Sequence, residues 1–189
     1  MQEALSNEKF LAGELRMDGG SARIYDSTTA TWSETISFSI RGAEKFLDYS
    51  KILLWKTDGE MVEVDAPTNV TSTTIEQALY PSPRNTIAKA HIPDSVTNIS
   101  YGAFFGCEYM TSIYIGKNVT KLGGDLFFNC SSLQTLTIPA TVTSIGDAAF
   151  FNCSSLTDVT FKGKTLQQVR AMNGYPWGIT NTSIIHAEG

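Results

Sequence analysis

Charge is scarce in this chain of 189 residues: Asp, Glu, Lys and Arg make up 17% of it, and the formal net charge is −5. Its 14 Lys and Arg never gather into a run, so the basic stripe that follows a phosphate backbone is missing and no nucleic-acid partner is expected. No apolar run reaches the length of a bilayer-spanning helix, and membrane insertion is not expected. Met1 to Arg16 lacks the basic-then-apolar order of a secretory leader. The two histidines, His91 and His186, stand far apart, and neither has a Ser or Cys at a spacing that nucleophilic catalysis uses. No catalytic residue, cofactor or metal is therefore expected.

Cysteine is rarer still. Cys107, Cys130 and Cys153 are an odd set, each 23 residues from the next. Metal ligands must converge on a point, whereas equally spaced residues in a stacked repeat run in a line, so free buried thiols in equivalent core slots are expected. Asp26, Asp48, Asp58 and Asp65 are scattered among turns and read as solvated acids.

What the chain has in their place is a repeat. Three copies run from Ile92 to Phe161: IPDSVTNISYGAFFGCEYMTSIY, IGKNVTKLGGDLFFNCSSLQTLT and IPATVTSIGDAAFFNCSSLTDVT. Ile92, Ile115, Ile138 and Phe161 fall in phase, as do Val96, Val119 and Val142. So do the doublets Phe104-Phe105, Phe127-Phe128 and Phe150-Phe151. A unit this short cannot bury its own apolar face, so the copies must stack around one continuous core as a solenoid. In Leu133-Gln-Thr-Leu-Thr-Ile138, Thr135 and Thr137 alternate with Leu136 and Ile138, the pattern of a strand with one buried face. Met110 to Ile115 and Leu156 to Phe161 repeat it, and stacking them predicts a parallel sheet. The Ala/Phe/Cys segment should close the opposite side in turns.

The unit IPxxVTxIGxxAFxxCxxLTxVxF resembles the BspA-like class of leucine-rich repeats, found in bacterial surface proteins, some protist surface proteins and tail-associated proteins of phages and prophages. The ending Thr160 to Ile179, TFKGKTLQQVRAMNGYPWGI, is similar to the segment that closes such arrays. Gly116 departs from the pattern set by Pro93 and Pro139, and Glu108-Tyr109-Met110 from the usual Ser-Ser-Leu. The resemblance implies a right-handed curved solenoid used for adhesion or display, and no catalytic residues.

The rest of the chain is read around that array. Residues 1–20 are a polar lead-in, with one or two helical turns expected in Asn7 to Leu15 before Asp18-Gly19-Gly20. Strands are expected at Ala22–Tyr25, Thr35–Ile40, Lys51–Trp55 and Glu60–Val64, with a hairpin turn at Thr57-Asp58-Gly59-Glu60 and a short helix over 42–50. A helix over Ile75–Leu79 is expected with Thr73 or Thr74 as its cap, ended by Pro81 and Pro83. After the repeats, Leu166, Val169 and Met172 share one face of a helix, Tyr175 and Trp177 lid the last coil, and Ser183–His186 forms an edge strand. The expected class is mainly β. It comprises a small β-rich N-terminal domain with its linker (21–85), a short BspA-like solenoid (86–161) and a C-terminal cap (162–189). The N-terminal region is also expected to cover the open first coil.

Function must then lie on a surface. The candidate recognition stripe is the outward strand face, Ser112, Tyr114, Thr135, Thr137, Asp158 and Thr160, whose positions differ between copies while the inward ones repeat. Tyr101 and Tyr109 are further candidates, standing where the other copies carry small or polar residues. The expectation is a non-enzymatic binding or display module, on a bacterial cell surface or in a virion, with a host-surface protein or glycan as partner. The absent leader favours the phage tail. A structural spacer contacting a neighbouring tail or fibre protein is the alternative.

Overall fold

The computed structural model describes the backbone of four short strands between residues 15 and 37, and residues 48–79 and 83–189 in full. The chain divides into two compact units, Met1–Leu47 and Asp48–Gly189.

In the first unit, β1 (Leu15–Asp18) and β2 (Ser21–Asp26) pair antiparallel, with Asp18 opposite Ser21 across the two-residue link Gly19-Gly20. β3 (Thr31–Trp32) and β4 (Ile36–Ser37) each pair antiparallel with β2. Leu15, expected to close a helical turn, starts a strand instead. The rest of that helix lies outside the described residues, as does 42–47 of the helix expected over 42–50. Asp48, Tyr49 and Ser50 at its end instead form a turn into the strand that starts at Ile52, where Asp48 Oδ1 accepts from the Ser50 backbone N–H at 3.0 Å.

The second unit is the solenoid. Along one side run β8 (Ile87–Ile92), β10 (Ser112–Ile115), β12 (Thr135–Ile138) and β14 (Asp158–Lys162). β10 lies parallel to β8, and β14 parallel to β12, with Thr135 beside Asp158 and Thr137 beside Thr160. Backbone bonds recur at the repeat spacing: Thr111 N–H to Ala88 C=O (2.9 Å), Gln134 to Thr111 (3.3 Å) and Thr157 to Gln134 (2.8 Å). A second parallel sheet joins the two-residue strands β7 (Asn69–Val70), β9 (Asn98–Ile99), β11 (Lys121–Leu122) and β13 (Ser144–Ile145).

The third side is a stack of turns whose bonds run the other way, from each repeat to the following one: Phe104 N–H to Leu126 C=O (3.1 Å) and Phe127 N–H to Ala149 C=O (2.8 Å). These turns need left-handed backbone at two in-phase places. Gly102, Asp125 and Ala148 have φ of 58°, 49° and 52°, and Gly106, Asn129 and Asn152 have 72°, 62° and 59°. Asn tolerates that conformation through its short polar side chain, and Asn152 Nδ2 also donates to Asn129 Oδ1 at 2.8 Å. The motif glycine answers a different need. A Cβ on Gly146 would lie 2.3 Å from the Gly124 nitrogen, so the coils close at that corner only without a side chain.

Inside, one core runs the length of the stack. Phe104, Phe127 and Phe150 are buried and stacked with centroids 5.9 and 5.8 Å apart. Cys107 and Cys130 are buried beside them and Cys153 is half-buried, all as free thiols. Each later thiol donates to a carbonyl of the coil before it, Cys130 Sγ to Phe104 O (3.2 Å) and Cys153 Sγ to Phe127 O (3.1 Å). The slot is thus not purely apolar: sulfur fills volume and also makes a weak cross-coil bond.

Both ends are closed. At the start, β5 (Ile52–Lys56) and β6 (Met61–Val64) form a hairpin on the turn read from sequence, with Gly59 at φ 87°. β5 then pairs antiparallel with β8, so the sheet runs across the boundary expected near residue 85. Ile52 and Leu54 join the repeat core, together with Ile75 and Leu79 of α1 (Ser72–Leu79). The cap of α1 is Thr71 rather than Thr73 or Thr74: its Oγ1 accepts from Thr74 N–H (3.1 Å), and Thr74 Oγ1 accepts from Thr71 N–H (3.2 Å).

At the other end, Thr165 and Gln168 form a reciprocal capping box on α2 (Leu166–Arg170). α2 buries Val169, with Met172 packed beside the core, but Leu166 is 40% exposed, so the expected three-residue face is only two residues wide. Trp177 is buried, donates Nε1–H to Asn173 O (2.8 Å) and packs on Phe150, Phe161 and Tyr175. Its carbonyl accepts Phe150 N–H at 3.0 Å, taking the place of the next turn. β15 (Ile185–Glu188) extends the sheet in parallel with β14, two residues later than the strand expected at Ser183–His186, because Asn181 caps a short 3-10 turn over Thr182–Ile184.

Candidate functional site

Every strand along the first side of the solenoid points alternate residues outward, and the registers arrange these in rows across the coils. The ladders pair His91 with Tyr114 and Lys89 with Ser112 in one sheet, and Thr137 with Thr160 and His186, and Thr135 with Asp158, in another. β10 and β12 lie side by side one repeat apart, so Tyr114 and Thr137 hold equivalent positions in successive coils. All six residues of the expected stripe lie on this face. They are not equally available. Thr135 and Thr137 are exposed, whereas Ser112, Tyr114, Asp158 and Thr160 are half-buried.

Tyr114 owes its burial to neighbours that sequence reasoning missed. Its ring stacks on His91 with centroids 4.8 Å apart and planes 7° from parallel, and Tyr49 meets His91 edge-on at 5.1 Å. His91 Nε2 lies 3.3 Å from the Tyr49 carbonyl oxygen. Burial holds the His91 imidazole below its ordinary pKa, against smaller upward pulls from that carbonyl and from Asp94, so it is neutral at pH 7. Burial likewise raises the Tyr114 phenol. Tyr114 donates to Asp94 at 3.5 Å, and Lys117 Nζ lies 3.0 Å from the same carboxylate. Burial pushes Asp94 up, but the Lys117 backbone N–H and ammonium outweigh it and leave the carboxyl below its usual range. The sequence signal for this group was a third aromatic, His91, one repeat upstream of Tyr114 in the same register.

The far end of the face is acidic and polar. Thr160 Oγ1 donates to Asp158 Oδ1 at 2.7 Å, and His186 Nε2 lies 3.5 Å from Asp158 Oδ2. Lys162 pairs with Glu188 at the edge.

A different aromatic feature marks the turn side. Phe105, Phe128 and Phe151 stack with centroids 5.0 Å apart in both steps, and Phe105 and Phe151 are 41% and 49% exposed. Of two consecutive phenylalanines in a tight turn only one can face the core, which is why the doublet yields one buried ladder and one exposed ladder. Tyr101 and Tyr109 are exposed at 67% and 57%, and Tyr101 donates its hydroxyl to Asp125 of the next coil.

Among the described residues no three His, Cys, Asp or Glu side chains converge as a metal site would need, and no helix is long and apolar enough to cross a membrane.

A family model for the BspA type leucine rich repeat region matches residues 73–174 in six copies. Among solved structures, the chain is similar to a leucine rich cell surface protein from Faecalibacterium prausnitzii A2-165, with 21% identity and a TM-score of 0.46. That match covers 72% of this chain and 38% of the other protein's length. No curated protein matches the chain.

Proposed function

Because the chain belongs to the BspA-type leucine-rich-repeat family, a family of interaction scaffolds rather than catalysts, we propose that it is a recognition module displayed on a bacterial cell surface or in a phage tail. The observation that carries this reading is the division of labour in the strands. Inward positions repeat from coil to coil and are buried, while the outward ones change from aromatic to hydroxyl to carboxylate along one side of the solenoid. A rigid array of backbone ladders holds that face, so a partner docks without having to order it.

The partner is a protein or glycan of a host or neighbouring-cell surface, and the contact residues are Ser112, Tyr114, Thr135, Thr137, Asp158 and Thr160. Tyr114 should be the strongest single contributor, since a ring gives large contact area at low entropy cost. The test compares wild type, Tyr114→Ala and Thr137→Ala/Asp158→Ala for binding to whole bacterial cells, under matched melting controls. Truncating Tyr114 should weaken binding about five- to thirtyfold, equivalent to ~1–2 kcal/mol. Undiminished binding by both variants would move recognition off the strand face. A wild type that binds no surface would favour a spacer that contacts only a neighbouring tail or fibre protein.

A further inference from the structure

The structure carries its own ruler for ring stacking. On the turn side, where each copy supplies Phe, rings follow one another at 5.0 Å, one coil to the next. On the strand face the same kind of stack begins with His91 and Tyr114 at 4.8 Å and then stops, because the next residue in the row is Thr137 and the one after it Thr160. One face of the Tyr114 ring is covered by His91. The other faces away from His91, toward the side on which the next coil carries the short Thr137 at the equivalent position. Beyond the two threonines the row ends at His186, which lies 3.5 Å from Asp158, two residues from Thr160 on the same strand and in the neighbouring row.

We propose that this interval is a glycan site in which a neutral hexopyranose stacks on the open face of Tyr114 above Thr137. The inference rests on the recognition reading above and names the ligand class for it. A chair pyranose has one face of C–H bonds and a rim of hydroxyls. The polarised C–H face suits the negative face of a phenol ring, and Tyr114 is held by His91 stacked on one face and by Asp94 at its hydroxyl. The rim hydroxyls meet the Thr137 and Thr160 hydroxyls below and the Asp158 carboxylate beyond, which supply both donors and acceptors. Asp158 also sets the charge: a carboxylate at the far wall repels an anionic sugar and accepts from a neutral one. A protein partner fits less well, since a hot spot needs an apolar socket that can be fully desolvated. Past Tyr114 this interval offers Thr137, Thr160 and Asp158.

The site is tested by saturation-transfer NMR of the full chain with lactose, cellobiose and, as the anionic comparator, sialyllactose. The expected result is transfer to the C–H protons of one ring face of lactose or cellobiose, with those protons shifted upfield by the ring current, and at least tenfold weaker transfer to the sialylated ring. Tyr114→Ala should cut the signal at least tenfold and Tyr114→Trp should keep it. Thr137→Tyr continues the ring stack into the place the sugar would take, so it should abolish transfer in a chain that still melts cooperatively. Absence of transfer from wild type to both neutral sugars, or full transfer to Thr137→Tyr, overturns the glycan site. In that event the whole-cell assay separates the two readings. Cell binding that is lost in Tyr114→Ala but survives periodate treatment of the cells leaves the recognition face standing with a protein partner, whereas cell binding indifferent to Tyr114→Ala removes both.

Discussion

The inward and outward sides of one strand obey different rules although they are built from alternate residues of the same four. Inward, Leu136 and Ile138 meet Val159 and Phe161 in register, and every coil must offer nearly the shape of the last or the core opens. Outward, the equivalent positions hold Tyr114, Thr137 and Thr160, an aromatic ring in one copy and a small hydroxyl in the next two. Stacking against a copy of itself makes a position conservative within the repeat; facing solvent or a partner leaves it free. Along these strands, variation between copies therefore maps the outward face and repetition the core, whereas on the turn side the exposed Phe105, Phe128 and Phe151 repeat because they stack on one another.

The firmest challenge to that division is at the closed end. Trp177 has no counterpart in the repeats yet is buried against Phe150 and Phe161, so Trp177→Ala should cost ~3–5 kcal/mol by leaving a cavity over the last coil. Denaturant melts showing less than 1 kcal/mol would place the indole outside the core. Gly146→Ala comes next. Its new Cβ meets backbone at 2.3 Å, which nothing nearby can relieve by rotating, and a loss of ~1–3 kcal/mol is expected.

A smaller effect is expected at the thiols. A hydroxyl can keep the bond to the Phe104 carbonyl but fills the slot less well, so Cys130→Ser should lose ~1 kcal/mol. The neighbouring Cys107 thiol and burial both push the Cys130 thiol far up, and burial pushes Cys153 up to about 12. Both should therefore resist iodoacetamide until the chain unfolds; rapid labelling of native protein would contradict the ladder.

The outward side has one titrating member inside the aromatic group. His91 is held below its ordinary pKa by burial, so the unfolded chain takes up its proton first. The contribution is fully present above the unfolded value of about 6.5 and is lost as pH falls below it. His91→Phe keeps a ring between Tyr49 and Tyr114 without a proton to bind. Melts at pH 7 and pH 5 should show a smaller acid loss in that variant than in wild type, and equal losses would mean that the imidazole is not desolvated.

Sequence made the repeat, the parallel sheet and the buried phenylalanines legible because each is written three times, and the in-phase Ile, Val, Phe and Cys could be read without knowing where the chain turns. It was less informative wherever a single copy decides. Thr71 caps α1 through a bond with Thr74 that any of four neighbouring hydroxyl residues could have made. The β5–β6 hairpin was legible as a hairpin, but its antiparallel docking on β8 was not, since an apolar strand such as Ile52–Trp55 does not specify its partner. On the strand face, the six outward residues followed from alternation alone. The partial burial of Tyr114 did not, because it depends on His91 and Tyr49, one of them outside the repeat array.

The most direct test sets the two sides of a single strand against each other. Leu136→Ala removes one inward side chain, and Thr135→Val with Thr137→Val replaces two outward hydroxyls while keeping β-branched shape. Equilibrium denaturation should show a loss of ~2–5 kcal/mol for the inward change and a change within about 0.5 kcal/mol for the outward pair. If the outward pair destabilises as much as Leu136→Ala, the outer face is part of what holds the coils together, and the separation of core from recognition surface fails.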